Sequence, residues 1–468
     1  MIEKLYFYYT NDLHSNFDQW PRVAKYLKDA TSKREKHGDA YWTVDIGDHM
    51  DRVHPISEAF KGKANVELMN DLHYDIATIG NNEGITLSHD ELYSLYDDAN
   101  FEVVCTNLHR TEVGNPNWLK RTVKIESASG IRIGVIGLTA PFNNYYELLG
   151  WHISSERQAL EQYVSELKKE TDIIILLSHL GLSEDQAIAR KFPDIDLIIG
   201  GHTHHLLRTG EKVNHTLITA AGKHCFYIGE AILSWDHEAK KLVRQEAYAT
   251  DITHYQVDPE TETNLKSLQM KADQLLGDTI VQLEKPIEVK WFKHTEIMQQ
   301  LTNTLKNHTK ADCALLNSGV LLADFPAGKV SYKDVHRICP HPINPVVVKL
   351  DGNELIEVIR ASLTKEFMEL KLKGFGFRGK MLGRMVFSGI TVETAFHVNG
   401  EEYVKNVVFE DGTKPDGDRL YNVATADTFT FGRLLPEIAR SETKQYMLPE
   451  FLRDLLVETL QREFASTL

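Results

Sequence analysis

The chain has 468 residues, is 42% hydrophobic and 25% charged, and carries no low-complexity tract. That length exceeds one ordinary core and predicts a globular protein of two or three domains. Its 52 basic and 67 acidic residues give a net charge of −15, which argues against a nucleic-acid polymer as partner, because phosphate backbones need Lys and Arg patches. A small phosphorylated substrate stays open, since a bound metal ion inverts the local field.

The first ten residues lack a basic start followed by an apolar run and a small-residue cleavage site, so no secretory leader is expected. No apolar run reaches the roughly 18 residues that a membrane span needs. The four cysteines (Cys105, Cys225, Cys313, Cys339) are scattered without metal-type spacing and read as reduced core residues. Together these features predict a cytoplasmic protein without membrane partners.

In chain order, short apolar runs end abruptly in polar residues. Leu5–Tyr9 leads into Thr10-Asn11-Asp12-Leu13-His14, Tyr41–Ile46 into Gly47-Asp48, and Asp75–Ile79 into Gly80-Asn81-Asn82-Glu83. Ile173–Leu177 leads into Ser178-His179, and Ile195–Ile199 into Gly200-Gly201-His202-Thr203-His204-His205. Runs rich in Ile and Val predict buried strands. The stretches Trp20–Lys36 and Ser155–Lys169 predict helices between them, so the first half reads as α/β with ligands at the carboxyl ends of its strands. Residues 251–290 read as a polar linker helix, with Leu265, Leu268, Ala272 and Leu275 at helical spacing. Beyond it, 291–468 mixes predicted helices (Thr295–His308, Asn353–Leu372, Leu448–Phe464) with strands (Val346–Leu350, Gly389–Val392, Val404–Phe409, Leu420–Ala426). The expected domains are therefore 1–250 and 291–468.

The strand ends gather Asp12, His14, Asp48, Asn81, His179, His202 and His204. Carboxylates, imidazoles and an amide oxygen are ligands for borderline divalent metals, and the set admits Mn, Zn, Fe or Co, with Mn favoured. Asp12 and His14 are two apart, so in extended backbone they point the same way, as do His202 and His204. Any one of these motifs alone is weak, because the chain holds 21 His. Five in order, each after an apolar run, predict two divalent ions, a pair that at roughly 3.5–4 Å separation clamps a phosphoryl group.

This ordered set resembles the calcineurin-like metallophosphoesterase superfamily, and more closely its 5′-nucleotidase family, which includes 2′,3′-cyclic-nucleotide phosphodiesterases and nucleotide-sugar hydrolases. Gly62–Asn70, Asn317-Ser318-Gly319, Gly328–Ser331, Pro342–Pro345, Val348–Leu355 and Tyr421–Thr425 extend the likeness over nearly the whole chain. The resemblance implies an N-terminal four-layer α/β/β/α sandwich and a C-terminal mixed α/β substrate domain. It implies one metal on Asp12, His14, Asp48 and His204, a second on Asp48, Asn81, His179 and His202, and a metal-bridging hydroxide as nucleophile. The implied substrate is a nucleotide or related phosphoester.

Two departures from the family pattern stand out. Its Gly-Asn-His-Glu with a following Asp is here Gly80-Asn81-Asn82-Glu83-Gly84-Ile85, so Asn82 and Ile85 replace the His-Asp dyad. An amide donates a hydrogen bond but gives up no proton. Asn82 itself and His89, at a predicted helix start, are the candidates for the missing role; His89 also reads as a solvated helix residue. In the second half the family's late aromatic segment is absent. Phe375, Phe377, Arg378 and Arg384 in a glycine-rich stretch, with Asn317, Phe429 and Phe431, are the candidate substrate contacts. The two stretch phenylalanines read equally as core. Loss of the dyad suits leaving groups that depart as stable anions, so a dinucleotide or nucleotide-sugar pyrophosphatase is the alternative enzyme. A nucleotide sensor with weakened catalysis is the alternative outside enzymes.

Overall fold

The computed structural model describes residues 1–112, 114–372, 374–432 and 434–465. The chain divides into two compact units, Met1–Ala272 and Asp273–Leu468.

The first unit is built on two sheets. One has seven strands in the order Lys241–Asp251, Tyr227–Asp236, Ile2–Thr10, Ala40–Asp45, Ile76–Ala77, Glu102–Val104 and Leu119–Lys120. From Ile2–Thr10 onward its neighbours run parallel. The other has six strands in the order Glu211–Val213, Thr216–Thr219, Leu197–Gly200, Ile173–His179, Arg132–Thr139 and Val123–Glu126, and its middle four are parallel.

Strand alternation sorts the side chains into layers. Ile173, Ile175 and Leu177 face Leu5, Phe7, Tyr9 and Val44 of the other sheet in one core. Ile174 and Leu176 face outward onto Leu160, Val164 and Ile188 of the helices Glu156–Leu167 and Leu182–Lys191. The outer face of the first sheet is covered by the helix Trp20–His37, whose Arg34 lies over the Tyr6 ring at 3.6 Å and donates to the Tyr8 hydroxyl at 2.8 Å. This is the four-layer sandwich that the family likeness implies, within the α/β architecture that the alternating pattern predicts.

The second unit centres on a five-stranded sheet ordered Met385–Ser388, Cys313–Asn317, Leu420–Ala426, Pro345–Asp351 and Lys444–Tyr446. The helices Glu296–Thr309 and Leu452–Glu463 pack together through the hydroxyls of Thr304 and Thr459, 2.8 Å apart. The predicted helix Asn353–Leu372 is two: Gly352–Ser362 ends, and the Thr364 hydroxyl accepts from the Phe367 N–H to start Lys365–Met368. A side chain that bonds its own following turn is a better helix start than helix interior. A hairpin, Ile390–Phe396 with Glu402–Phe409, forms its own two-stranded sheet. Among the described residues no helix is long and apolar enough to cross a membrane.

Candidate active site

The predicted ligand residues all lie at or just beyond the carboxyl ends of parallel strands. Asp12 and His14 follow Ile2–Thr10, Asp48 follows Ala40–Asp45, Asn81 opens a helix after Ile76–Ala77, His179 closes Ile173–His179, and His202 and His204 follow Leu197–Gly200. Asp12, His14, Asp48, His202 and His204 have φ of 50°, 49°, 51°, 69° and 58°. This corrects the expectation of extended Asp-x-His and His-x-His segments: left-handed turns, not strand alternation, bring each pair together. Such backbone costs of order 1–3 kcal/mol per residue and persists where the surroundings impose it, which is typical of functional sites.

The glycines of the motifs answer to close packing. A Cβ on Gly80 would lie 2.1 Å from Asp48 Oδ1, and one on Gly47 2.2 Å from the Gly80 nitrogen. Glu83, buried at 2% exposure, ties the same two loops together. One of its oxygens accepts the N–H groups of Asp48 and Gly80, both at 2.9 Å, and the other accepts that of Met50 at 2.9 Å. The motif spelled Glu83 out, but no periodicity pointed to this role.

Two groups of side chains have metal-holding spacing: Asp12 with His14 and His204, and Asp12 with Asp48 and His179. His14 Nε2 and His204 Nε2 are 3.1 Å apart, and both lie near Asp12 Oδ1, at 3.7 and 3.4 Å. Asp48 Oδ2 is 3.4 Å from His179 Nε2 and 3.8 Å from His14 Nε2, so both carboxylates stand between the groups. His179 Nδ1 donates to the Ile46 carbonyl at 2.7 Å, which leaves Nε2 as the lone-pair nitrogen of the neutral ring. That Nε2, and Asn81 Oδ1, are buried without a hydrogen-bond partner among the described residues. The His202 ring lies 5.2 Å from that of His179, and Phe142 meets it edge-on at 6.0 Å.

The electrostatics ask for a cation. Burial opposes charge on Asp12 and Asp48, yet His204 and His179 around Asp12, and His179 and His14 around Asp48, hold both carboxyls below the usual carboxylate range. Burial likewise opposes charge on His179, but Asp48 and then Asp12 push it up to about 10. Two buried carboxylates thus draw a proton onto His179, and a divalent ion would take that place. A buried amide oxygen without a donor among the described residues, a cluster of imidazoles and a buried carboxylate pair fit a dimetal centre.

Asn82 is buried beside this cluster. Its N–H donates to Asp48 Oδ1 at 2.7 Å, and its amide nitrogen lies 3.1 Å from Asp48 Oδ2 and 2.7 Å from His14 Nδ1. His89 has other work. Its Nδ1 donates to the Leu149 carbonyl at 2.9 Å, Nε2 accepts from Arg110 at 3.2 Å, and the ring stacks on Trp151 at 5.3 Å. Both nitrogens are engaged in packing this corner of the fold, so the structure does not support the expected substitute for the dyad.

The second unit sorts its candidates by burial. Phe377 is 2% exposed and stacks on buried His341 at 5.1 Å, and Phe429 is 0% exposed beside Phe367, so both are core. Arg384 is locked to Glu402 by two hydrogen bonds of 2.7 Å, which removes it as an anion anchor. Asn317 is buried and donates to the Leu382 carbonyl at 2.8 Å. The Arg378 N–H donates to His341 Nδ1 at 2.9 Å. Phe375 differs: it is 48% exposed, has φ of 52°, and lies parallel to Phe431, with centroids 5.8 Å apart and planes 9° apart.

Comparison with known proteins agrees with this architecture. The calcineurin-like phosphoesterase family matches residues 5–206, and the 5′-nucleotidase C-terminal domain matches residues 276–433. YunD, an uncharacterized metallophosphoesterase of Bacillus subtilis (strain 168), is 40% identical over 457 residues, 97% of this chain and 99% of that protein. A 5′-nucleotidase of Vibrio cholerae is 23% identical over 425 residues, 77% of this chain and 76% of that one. The crystal structure of a putative 5′-nucleotidase from Staphylococcus aureus in complex with alpha-ketoglutarate has a TM-score of 0.70 at 19% identity, covering 99% of this chain and 97% of that one. The chain belongs to the 5′-nucleotidase family of calcineurin-like metallophosphoesterases.

Proposed function

We propose that this chain is a dimetal phosphoesterase that hydrolyses phosphate bonds of nucleotide-like molecules. The observation that carries the reading is the buried carboxylates of Asp12 and Asp48 with His14, His179 and His204 at metal-holding spacing around them. Asp12, His14 and His204 would hold one ion. Asp48, His179, Asn81 and His202 would hold the other, with Asp48 or Asp12 shared. Bound ions would supply Lewis acidity towards the phosphoryl oxygens and a nucleophile at neutral pH.

The protein's own groups then set selectivity. Asn82 fixes Asp48 and His14 through its amide and holds no proton that it can transfer. Leaving groups that are stable anions need no such proton, so activated diesters and anhydrides should turn over faster than sugar monophosphates. In the second unit the outward face of Phe375 suits stacking on a planar base.

A panel of an aryl phosphodiester, a dinucleoside polyphosphate and nucleoside monophosphates, each with added manganese, tests the proposal. Metal-dependent hydrolysis of the first two, with slower release from monophosphates, is expected. Absence of hydrolysis across the panel in protein shown to hold metal would refute it and favour a nucleotide sensor.

A further inference from the structure

The mechanism leaves one imidazole at the cluster unused. The strand Thr216–Thr219 is parallel to Leu197–Gly200, and the chain beyond its carboxyl end carries Gly222, Lys223 and His224 to the metal-ligand residues. His224 donates its backbone N–H to the Asp12 carbonyl at 2.7 Å. Its ring meets that of His14 edge-on, with centroids 6.0 Å apart, and lies 5.9 Å from that of the part-exposed Phe226. Neither ring nitrogen of His224 has a hydrogen-bond partner among the described residues. His224 and Cys225 have φ of 60° and 50°, two left-handed non-glycine residues in succession. Strain of this kind, at roughly 1–3 kcal/mol per residue, needs a reason, and here it sets a half-buried imidazole against the His14 ring.

We propose that His224 is a substrate-contacting residue whose ring N–H donates to an oxygen of the bound phosphoryl group. The proposal rests on the reading of the cluster as a phosphoester site. Three observations support it over a packing role: a polar ring with both nitrogens unpaired, a place beside His14 rather than among the ligand groups, and a backbone held in strain. An N–H aimed at a phosphoryl oxygen sharpens in the transition state as charge gathers there.

Inorganic phosphate is the probe. In metal-loaded protein, His224→Phe keeps the ring's bulk and removes the donor. It should weaken phosphate binding in calorimetry about 10-fold or more and lower kcat/KM on an aryl phosphodiester about 10- to 100-fold. Metal content by elemental analysis should stay unchanged. His224→Asn or His224→Gln, which place an amide N–H near one ring nitrogen or the other, should recover part of both losses. Unchanged phosphate affinity and turnover in His224→Phe overturns the proposal, and so does loss of metal, which would make His224 a ligand. A crystal structure of the wild-type protein with metal and phosphate reads the contact without a variant. A His224 nitrogen about 3 Å from a phosphate oxygen is expected, and both nitrogens bonded elsewhere would overturn the assignment. If wild-type, metal-loaded protein neither binds phosphate nor turns over any ester, the phosphoesterase reading itself fails, a result distinct from a silent His224→Phe.

Discussion

The side-chain amide of Asn82 lies 2.7 Å from Nδ1 of His14 and 3.1 Å from Oδ2 of Asp48. One neutral group thus braces two candidate metal ligands. A general acid is typically worth about 10²–10⁴-fold when the leaving oxygen needs a proton. Replacing Asn82→His together with Ile85→Asp should therefore raise hydrolysis of nucleoside monophosphates more than that of an aryl phosphodiester. Steady-state kcat on both substrates checks this. Equal gains on the two, or a wild-type rate on monophosphates matching the activated ester, would count against the role given to Asn82.

Glu83 accepts three backbone N–H groups, from Asp48, Gly80 and Met50, inside the protein. Glu83→Ala leaves all three donors unpaired, at about 1–3 kcal/mol for each buried group. The variant should lose about 3 kcal/mol or more in denaturant melts, and its metal affinity should fall about 10- to 100-fold because the Asp48 loop is no longer held. A melt and a metal titration matching the wild type would show that the loops are held by other means.

His341 gives the second unit a pH dependence. It is fully buried, Nε2 donates to the Val320 carbonyl at 2.9 Å, and Nδ1 accepts the Arg378 N–H at 2.9 Å. Burial pushes its pKa down from 6.5 to about 3. A depressed folded pKa means that the unfolded chain binds the proton first, so stability is complete above about pH 6.5 and falls as pH drops towards 3. His341→Gln, which does not titrate, should flatten this acid limb while costing about 1–3 kcal/mol at pH 7. Urea melts between pH 4 and 8 measure both effects, and an unchanged acid slope would remove His341 from the account.

Phe375 and Arg384 should separate cleanly. Base–aromatic stacking is worth about 1–3 kcal/mol, so Phe375→Ala should raise KM about 5- to 100-fold for substrates that carry a base and leave an aryl phosphodiester unaffected. Arg384→Ala leaves Glu402 without its partner, at about 1–3 kcal/mol of stability, with little change in KM. Parallel kinetics and thermal melts on the two variants decide the matter, and the reverse pattern would reassign them.

The placement of the candidate ligands was legible because a polar residue just after a buried apolar run can face only one end of a parallel sheet. Asp12, Asp48, Asn81, His179, His202 and His204 all follow that rule. The backbone that orients them was not legible, since left-handed φ at Asp12, His14 and Asp48 reflects tertiary constraint rather than local preference. Phe375 and Phe377 show a second limit. They are two apart in one glycine-rich stretch, yet one is 48% exposed and the other 2%, and composition cannot tell a presented ring from a packed one. The partner of Arg384 stands 18 residues away on a hairpin, which no local pattern marks. His224 could have been found by the rule that found the others, because the short run Thr216–Thr219 is also a parallel strand, but four residues are a weak signal.

A dimetal centre on Asp12, His14, Asp48, Asn81, His179, His202 and His204 can be counted by elemental analysis of protein loaded with manganese and freed of excess metal. Close to two ions per chain are expected for the wild type, and most of both should be lost in Asp48→Ala, because Asp48 Oδ2 lies 3.8 Å from His14 Nε2 and 3.4 Å from His179 Nε2. A folded Asp48→Ala protein that keeps its full metal content, or a folded wild-type protein that holds none, would contradict it.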